Sequence, residues 1–131
     1  MNEFRWPIRV YYEDTDAGGV VYHTGYIRFF ERARTEWLRA LGYSLQQLAD
    51  EKGVLFTVAD LSIHYRRPAR LDDLLEVVTQ ARVRGASVLF SQAVHGAGGV
   101  LLAEGEVRVA CVDASTFRPL RMPAWFMAGV T

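Results

Sequence analysis

One stretch of this chain repeats apolar side chains at helical spacing, and no other long stretch does. Tyr26, Phe29, Phe30, Ala33, Trp37, Ala40 and Leu41 recur at intervals of three and four, which predicts an amphipathic helix from Tyr26 to Leu41. Arg28, Arg32, Glu36 and Arg39 fall mainly between them, while Ile27 and Leu38 widen the stripe. A helix of this kind has to be covered over much of its circumference. Gly42 follows as a C-terminal stop. Whatever covers the helix must come from segments that read as strands.

Residues 4–13 are rich in β-branched and aromatic types, and Pro7, lacking a backbone donor, places that strand at an edge or bulge. Ser44 with Gln47 three residues on announces a short second helix, ended by Gly53. Residues 55–67 form a strand closed by Pro68. In residues 74–84, Leu75, Val77, Thr79, Ala81 and Val83 share one face. Arg84-Gly85-Ala86-Ser87 is a hairpin turn into residues 88–95. The glycine-rich segment 96–99 turns the chain into residues 100–112, where Leu101, Ala103, Val107, Val109 and Cys111 share a face. Successive hairpins imply an antiparallel sheet. The expected class is α+β, with a sheet of about five strands curled around one long helix. Its open edges favour pairing with a second subunit.

The 131 residues suit a single domain spanning 1–131, and half of them are hydrophobic, so a packed core is expected. Fifteen basic and fifteen acidic side chains cancel, which argues against bulk attraction to nucleic acid or anionic membranes. No run approaches the ~20 apolar residues of a membrane span, and the N-terminus lacks the apolar core of a signal peptide. A cytoplasmic protein is expected. Cys111 is the only cysteine. It lies in an alternating apolar run, so an inert buried thiol is expected there. His64 and His95 sit within strands and read as structural or surface residues. The three histidines lack metal-ligand spacing, so neither a metal nor another cofactor is expected.

Nearly everything reactive falls between Tyr12 and Tyr26: carboxylates at Asp14 and Asp16, His23, several phenols, and Gly18-Gly19, all just before the helix. Hydrolysing a thioester requires a group that attacks the carbonyl or activates water, and donors for the oxyanion that develops. A carboxylate beside a helix N-terminus meets the first need. The unpaired N–H groups of that first turn meet the second. Residue types alone leave another reading open, in which Asp14 and Asp16 are turn and capping residues and the tyrosines are core aromatics.

The string VYYEDTDAGGVVYHTGYIRFFERARTEWLRALG (residues 10–42) closely resembles the YbgC-type, Tol–Pal-associated acyl-CoA thioesterases. These belong to the 4-hydroxybenzoyl-CoA thioesterase branch of the hotdog superfamily. The segments from Tyr65 to Asp73, Arg84 to Ser87 and Val109 to Asp113 resemble later parts of the same family, so the likeness spans nearly the whole chain. It implies the hotdog fold and homodimers or homotetramers with sites at subunit interfaces. It implies Asp16 as the catalytic carboxylate, either nucleophile or general base. Tyr12 and His23 match positions implicated beside it, and the His23 backbone N–H matches the group that polarises the thioester carbonyl. In the hydroxybenzoyl branch a tyrosine stands where His23 does, which favours the YbgC-type assignment.

The implied substrate is an acyl-CoA, or an acyl group on acyl carrier protein. Arg66, Arg67, Arg70 and Arg84 are the candidate partners for coenzyme A phosphates, since arginine engages phosphate through paired hydrogen bonds. Two alternatives stand beside this reading: an aromatic, 4-hydroxybenzoyl-type thioesterase, and a non-catalytic acyl-binding hotdog protein. The Asn-Pro-x-His spacing of hotdog hydratases is absent, and acyl length is not readable from the residues.

Overall fold

The computed structural model describes residues 3–126. Strand β1 (Phe4–Arg9) leads through a 3-10 turn at Tyr12–Asp14 to helix α1 (His23–Ala40). A short helix α2 (Leu45–Gln47) continues as a π turn at Leu48–Lys52, and then come β2 (Val54–Tyr65), β3 (Leu74–Arg84), β4 (Ser87–His95) and β5 (Leu101–Asp113). The strands form one antiparallel sheet in the order β1-β3-β4-β5-β2. Both β1 and β2 are therefore edges, and Pro7 lies on an edge strand as its chemistry demands.

Helix α1 buries Gly25, Tyr26, Phe29, Phe30, Ala33, Trp37 and Leu38. Ala40 departs from the expected stripe and is exposed. The helix begins three residues before the apolar periodicity does. Gly25 is the reason: a Cβ there would meet Val21 Cγ1 at 2.8 Å, so the first turn lies close against the incoming chain. The first strand is shorter than its composition suggests. Asp14 Oδ2 accepts the Tyr11 N–H at 2.8 Å, which folds Tyr12–Asp14 into a 3-10 turn after the still-extended Tyr11. At the second helix, Ser44 Oγ accepts the Gln47 N–H, and Gly53 ends the π turn at φ +66°.

The sheet bends over the helix along one row of residues. Thr79, Gln92 and Gly105 lie side by side on β3, β4 and β5. Gln92 is buried but satisfied: its Nε2 donates to the Phe30 carbonyl (3.0 Å) and to Thr79 Oγ1 (2.9 Å), and its Oε1 accepts from Arg34 Nη1 (3.0 Å). These bonds tie the middle of α1 to the middle of the sheet. In the same row Gly105 leaves room for Phe30. A Cβ there would overlap the Ser62 carbonyl oxygen of β2, and it would stand 3.2 Å from Phe30 Cε2.

On β5, Ala103, Val107, Val109 and Cys111 are buried as their alternation predicts, but Leu101 is only half-buried while Leu102 is buried. A register shift between Val94 and His95 of β4 accounts for this, since one extra residue reverses the facing. Burial raises the Cys111 thiol above its ordinary pKa, which suits an inert core residue. The C-terminal aromatics Trp125 and Phe126 both pack on the chain's own core, to different depths. Phe126 is 1% exposed and packs against Trp37, Tyr43 and Phe56, whereas Trp125 is half-buried. Residues 127–131 of that segment lie outside the described residues. Replacing Gly105 with Ala should cost about 1–3 kcal/mol, because the obstructing atoms are backbone. Thermal and urea denaturation of the variant should both show the loss.

Candidate functional site

The segment before α1 is a tight loop with its own bonding. Thr15 and Val21 form an antiparallel bridge, and the Asp16 N–H donates to the Val20 carbonyl at 2.9 Å. Between them the Gly19 N–H closes a turn onto the Asp16 carbonyl (3.0 Å), and the Gly18 N–H donates to Asp16 Oδ1 (2.8 Å). Each glycine has a separate task. A Cβ on Gly18 would press on Asp16 Oδ1 at 3.2 Å, and Gly19 holds φ +78°, where a side chain is strained. The turn role that residue types allow for Asp16 is thus present. It occupies Oδ1 and orients the carboxylate, while Oδ2 has no hydrogen-bond partner among the described residues.

Asp14 serves the interior instead. It is 2% exposed, its carbonyl accepts the Tyr22 N–H (3.0 Å), and its Oδ2 accepts the Tyr11 N–H. Oδ1 has no partner. Its carboxylate therefore holds the chain in place ahead of the loop.

At the start of α1, Tyr22 occupies the N-cap position without offering a side-chain acceptor. The N–H groups of His23 and Thr24 have no protein acceptor among the described residues. They carry the partial positive charge of the helix end outward. The His23 ring is exposed, 4.3 Å from the Tyr22 ring and edge-on to Tyr65 at 6.5 Å. Tyr12 is 83% exposed on the outer side of the 3-10 turn.

The turn from Pro68 to Asp73 locks onto this loop. The Val21 N–H donates to the Ala69 carbonyl (2.9 Å), the Ala69 N–H donates to Tyr26 Oη (3.0 Å), and Val20 bridges to Arg70. The result is an open recess of about 280 Å³ lined by Val21, His23, Tyr26, Tyr65, Arg66 and Arg67. Sequence reasoning missed Tyr65 as a site residue. Its hydroxyl donates to the His23 carbonyl at 2.8 Å across 42 residues, a pairing that no local pattern encodes.

The four arginines do not share one environment. Arg66 is held by Glu104 through two bonds, from Nε at 3.0 Å and from Nη2 at 2.7 Å. Arg67 and Arg70 form no ion pair among the described residues. Arg84 ends β3, whose first residue lies near Arg70, so at strand rise it is roughly 33 Å away. Within one protomer Arg84 does not join the others.

A second recess, of about 100 Å³, opens between α1 and strands β2, β4 and β5. Val58, Val88, Phe90 and Phe126 contribute to its lining, with Glu31 and Arg34 as charged members. Burial pulls the Arg34 guanidinium below its ordinary pKa, and nearby Glu31 offsets this in part. Glu31 lies eight residues beyond His23, about 12 Å along the helix axis. Among the described residues no cluster of three or more His, Cys, Asp or Glu could hold a metal. No helix there is long and apolar enough to cross a membrane.

A sheet curled around one long helix, with a reactive loop at the helix N-terminus, is the architecture of a thioesterase-like hotdog protein. The model of the thioesterase-like superfamily matches residues 10–130. The acyl-CoA thioester hydrolase YbgC of Escherichia coli O6:H1 is 51% identical over 126 residues, covering 95% of this chain and 93% of that one. A probable thioesterase from Bartonella henselae aligns with a TM-score of 0.87 at 36% identity, covering 92% of this chain and 99% of that one. A mutant 4-hydroxybenzoyl-CoA thioesterase, complexed with 4-hydroxybenzoyl-CoA, aligns over the full length of both chains with a TM-score of 0.92, at 18% identity. That last likeness speaks to fold alone. The chain belongs to the YbgC family of acyl-CoA thioesterases, within the thioesterase-like superfamily, and is a thioester hydrolase.

Asp14→Ala removes the acceptor that holds the Tyr11 N–H, and should cost about 1–2 kcal/mol in urea unfolding. Asp14→Asn keeps an acceptor oxygen there and should cost less.

Proposed function

We propose that this chain hydrolyses acyl-CoA to the free acid and coenzyme A, with Asp16 as the reacting carboxylate and the first turn of α1 as the carbonyl-polarising group. One observation carries the assignment of roles: a carboxylate held by Oδ1 stands in a loop closed by the Thr15–Val21 bridge, two residues before an uncapped helix N-terminus. Asp16 Oδ2 either attacks the thioester carbon, forming a mixed anhydride that water then opens, or takes a proton from the attacking water. Both routes end in a carboxylic acid and the coenzyme A thiol. As the carbonyl oxygen gains charge, the outward N–H groups of His23 and Thr24 stabilise it. Such donors contribute about 3–4 kcal/mol in acyl-transfer enzymes. The His23 imidazole, exposed beside this turn, is suited to delivering a proton to the departing sulfur. Tyr12, on the outer side of the turn, is available to close over the substrate.

Arg66, Arg67 and Arg70 are the candidates in this protomer for coenzyme A phosphates; Arg67 and Arg70 carry no ion pair among the described residues, whereas Arg66 would have to leave its exposed pairing with Glu104. Arg84 fits that role only if a second subunit brings it to the site. The active form is a homo-oligomer of single-domain subunits. Both sheet edges are open, and β2 exposes Val58, Leu61 and Tyr65. Acyl carrier protein is the other carrier compatible with the chemistry, and a cytoplasmic enzyme would meet both carriers. The apolar recess between α1 and the sheet is the candidate for the acyl group.

Thiol release should be measured across a panel of straight-chain and aromatic acyl-CoAs. Turnover of several members is expected, with a loss of at least ~100-fold for Asp16→Asn. Undiminished turnover by that variant would refute the assignment of Asp16. Binding of acyl-CoA by the wild type with no thiol release would favour the non-catalytic reading. His23→Ala should lose less than Asp16→Asn, since its backbone donor remains. In a separate comparison, Arg67→Ala should raise KM for acyl-CoA while leaving KM for the matching acyl-pantetheine, which lacks the nucleotide phosphates, unchanged.

A further inference from the structure

The His23 carbonyl and the Thr24 N–H are the two ends of one planar peptide. Whatever fixes the first fixes the second, and the two point in opposite directions. In α1 the carbonyl points along the helix and the N–H points out of its N-terminus, where it has no acceptor among the described residues. The Tyr65 hydroxyl donates to that carbonyl at 2.8 Å. The tyrosine is itself firmly placed. It is the last residue of β2, and the next two N–H groups, of Arg66 and Arg67, both donate to the Leu102 carbonyl at 2.8 and 3.1 Å. Its ring stands edge-on to Tyr26 at 5.4 Å and to His23 at 6.5 Å.

Fold stability gives little reason for this bond. Tyr65 is 45% exposed, so water could satisfy both the hydroxyl and the carbonyl. What the bond adds is electronic and directional. A donor on a peptide oxygen draws charge from the peptide and makes its N–H a stronger donor. It also keeps that peptide from tilting as charge grows on a bound oxyanion, and preorganised donors are the ones that accelerate acyl transfer.

We infer that Tyr65 is a positioning residue for thioester hydrolysis: by holding the His23 carbonyl it aims and strengthens the Thr24 N–H, which joins the His23 N–H as a second donor to the developing oxyanion. This rests on the proposed hydrolysis at the Asp16 loop. The Tyr65 hydroxyl touches no reacting atom; it acts through one peptide.

Tyr65→Phe keeps the ring and its edge contacts and removes only the hydroxyl. Its kcat should fall by roughly tenfold, less than the 100- to 1,000-fold that follows outright loss of an oxyanion donor. KM and the melting temperature should stay close to wild type. In ¹⁵N-labelled protein without substrate, the Thr24 amide proton should move upfield in the variant, as expected of a less polarised peptide. A kcat equal to wild type, or an unmoved Thr24 amide, overturns the inference. So does a fall in kcat matched by a lower melting temperature and a higher KM, the signature of a merely structural contact. Asp16→Asn run in parallel separates the two levels. If it is inactive while Tyr65→Phe is fully active, only the positioning role fails. If the wild type releases no thiol, the reading of the site fails together with it.

Discussion

A helix with aromatic and aliphatic groups on most of its faces can be kept from water only by a layer that curves. Here the sheet meets the middle of α1 along the row formed by Thr79, Gln92 and Gly105. Gln92 hydrogen-bonds the helix backbone, and Gly105 leaves the space that Phe30 fills. Burial of α1 along its length makes its N-terminus exceptional. That end has no side-chain cap, and the N–H groups of His23 and Thr24 have no acceptor among the described residues. An uncapped terminus costs stability in an ordinary helix. In a thioester hydrolase the same omission leaves donors available for an oxyanion.

The loop ahead of the helix is held at several points rather than left to move. Asp14 anchors it from within, the Thr15–Val21 bridge closes its base, and Asp16 binds its own turn through Oδ1. The Pro68–Asp73 turn adds a second support, with Ala69 bonded both to Val21 and to the Tyr26 phenol. Tyr65 completes the set from the end of β2. Local bonds within the loop are thus joined by contacts from Tyr65, Ala69 and Arg70, more than forty residues along the chain from the groups they hold. Positioning to within fractions of an ångström is what effective acyl transfer demands of its fixed dipoles.

Much of this was legible in the residues. The apolar spacing of α1, the hairpin at Gly85-Ala86 and the edge position implied by Pro7 follow from local rules, and β3 runs over the residues that its alternation marks. The Asp16–Gly19 segment could be read as a turn beside a helix, and the family resemblance supplied its chemistry. Local rules failed where distant contacts decide. Nothing near His23 says that the helix starts there; the close approach of Gly25 to Val21 does. Asp14 and Asp16 look alike in a list of residues, yet one is buried under the loop and the other stands on it. The arginines likewise form one group by sequence and separate in space, because Glu104 claims Arg66 and the length of β3 carries Arg84 away. Tyr65 was invisible as a site residue because its partner lies across the fold.

In the proposed mechanism the first turn of α1 polarises the thioester carbonyl. Isotope-edited infrared spectroscopy reads this directly, using acyl-CoA carrying ¹³C at the thioester carbon, bound to Asp16→Asn so that it is not consumed. The carbonyl stretch should shift to lower frequency than in water, and part of that shift should disappear when Tyr65→Phe is added. A stretch at or above its frequency in water would contradict the account, because the carbonyl would then not be held by those donors.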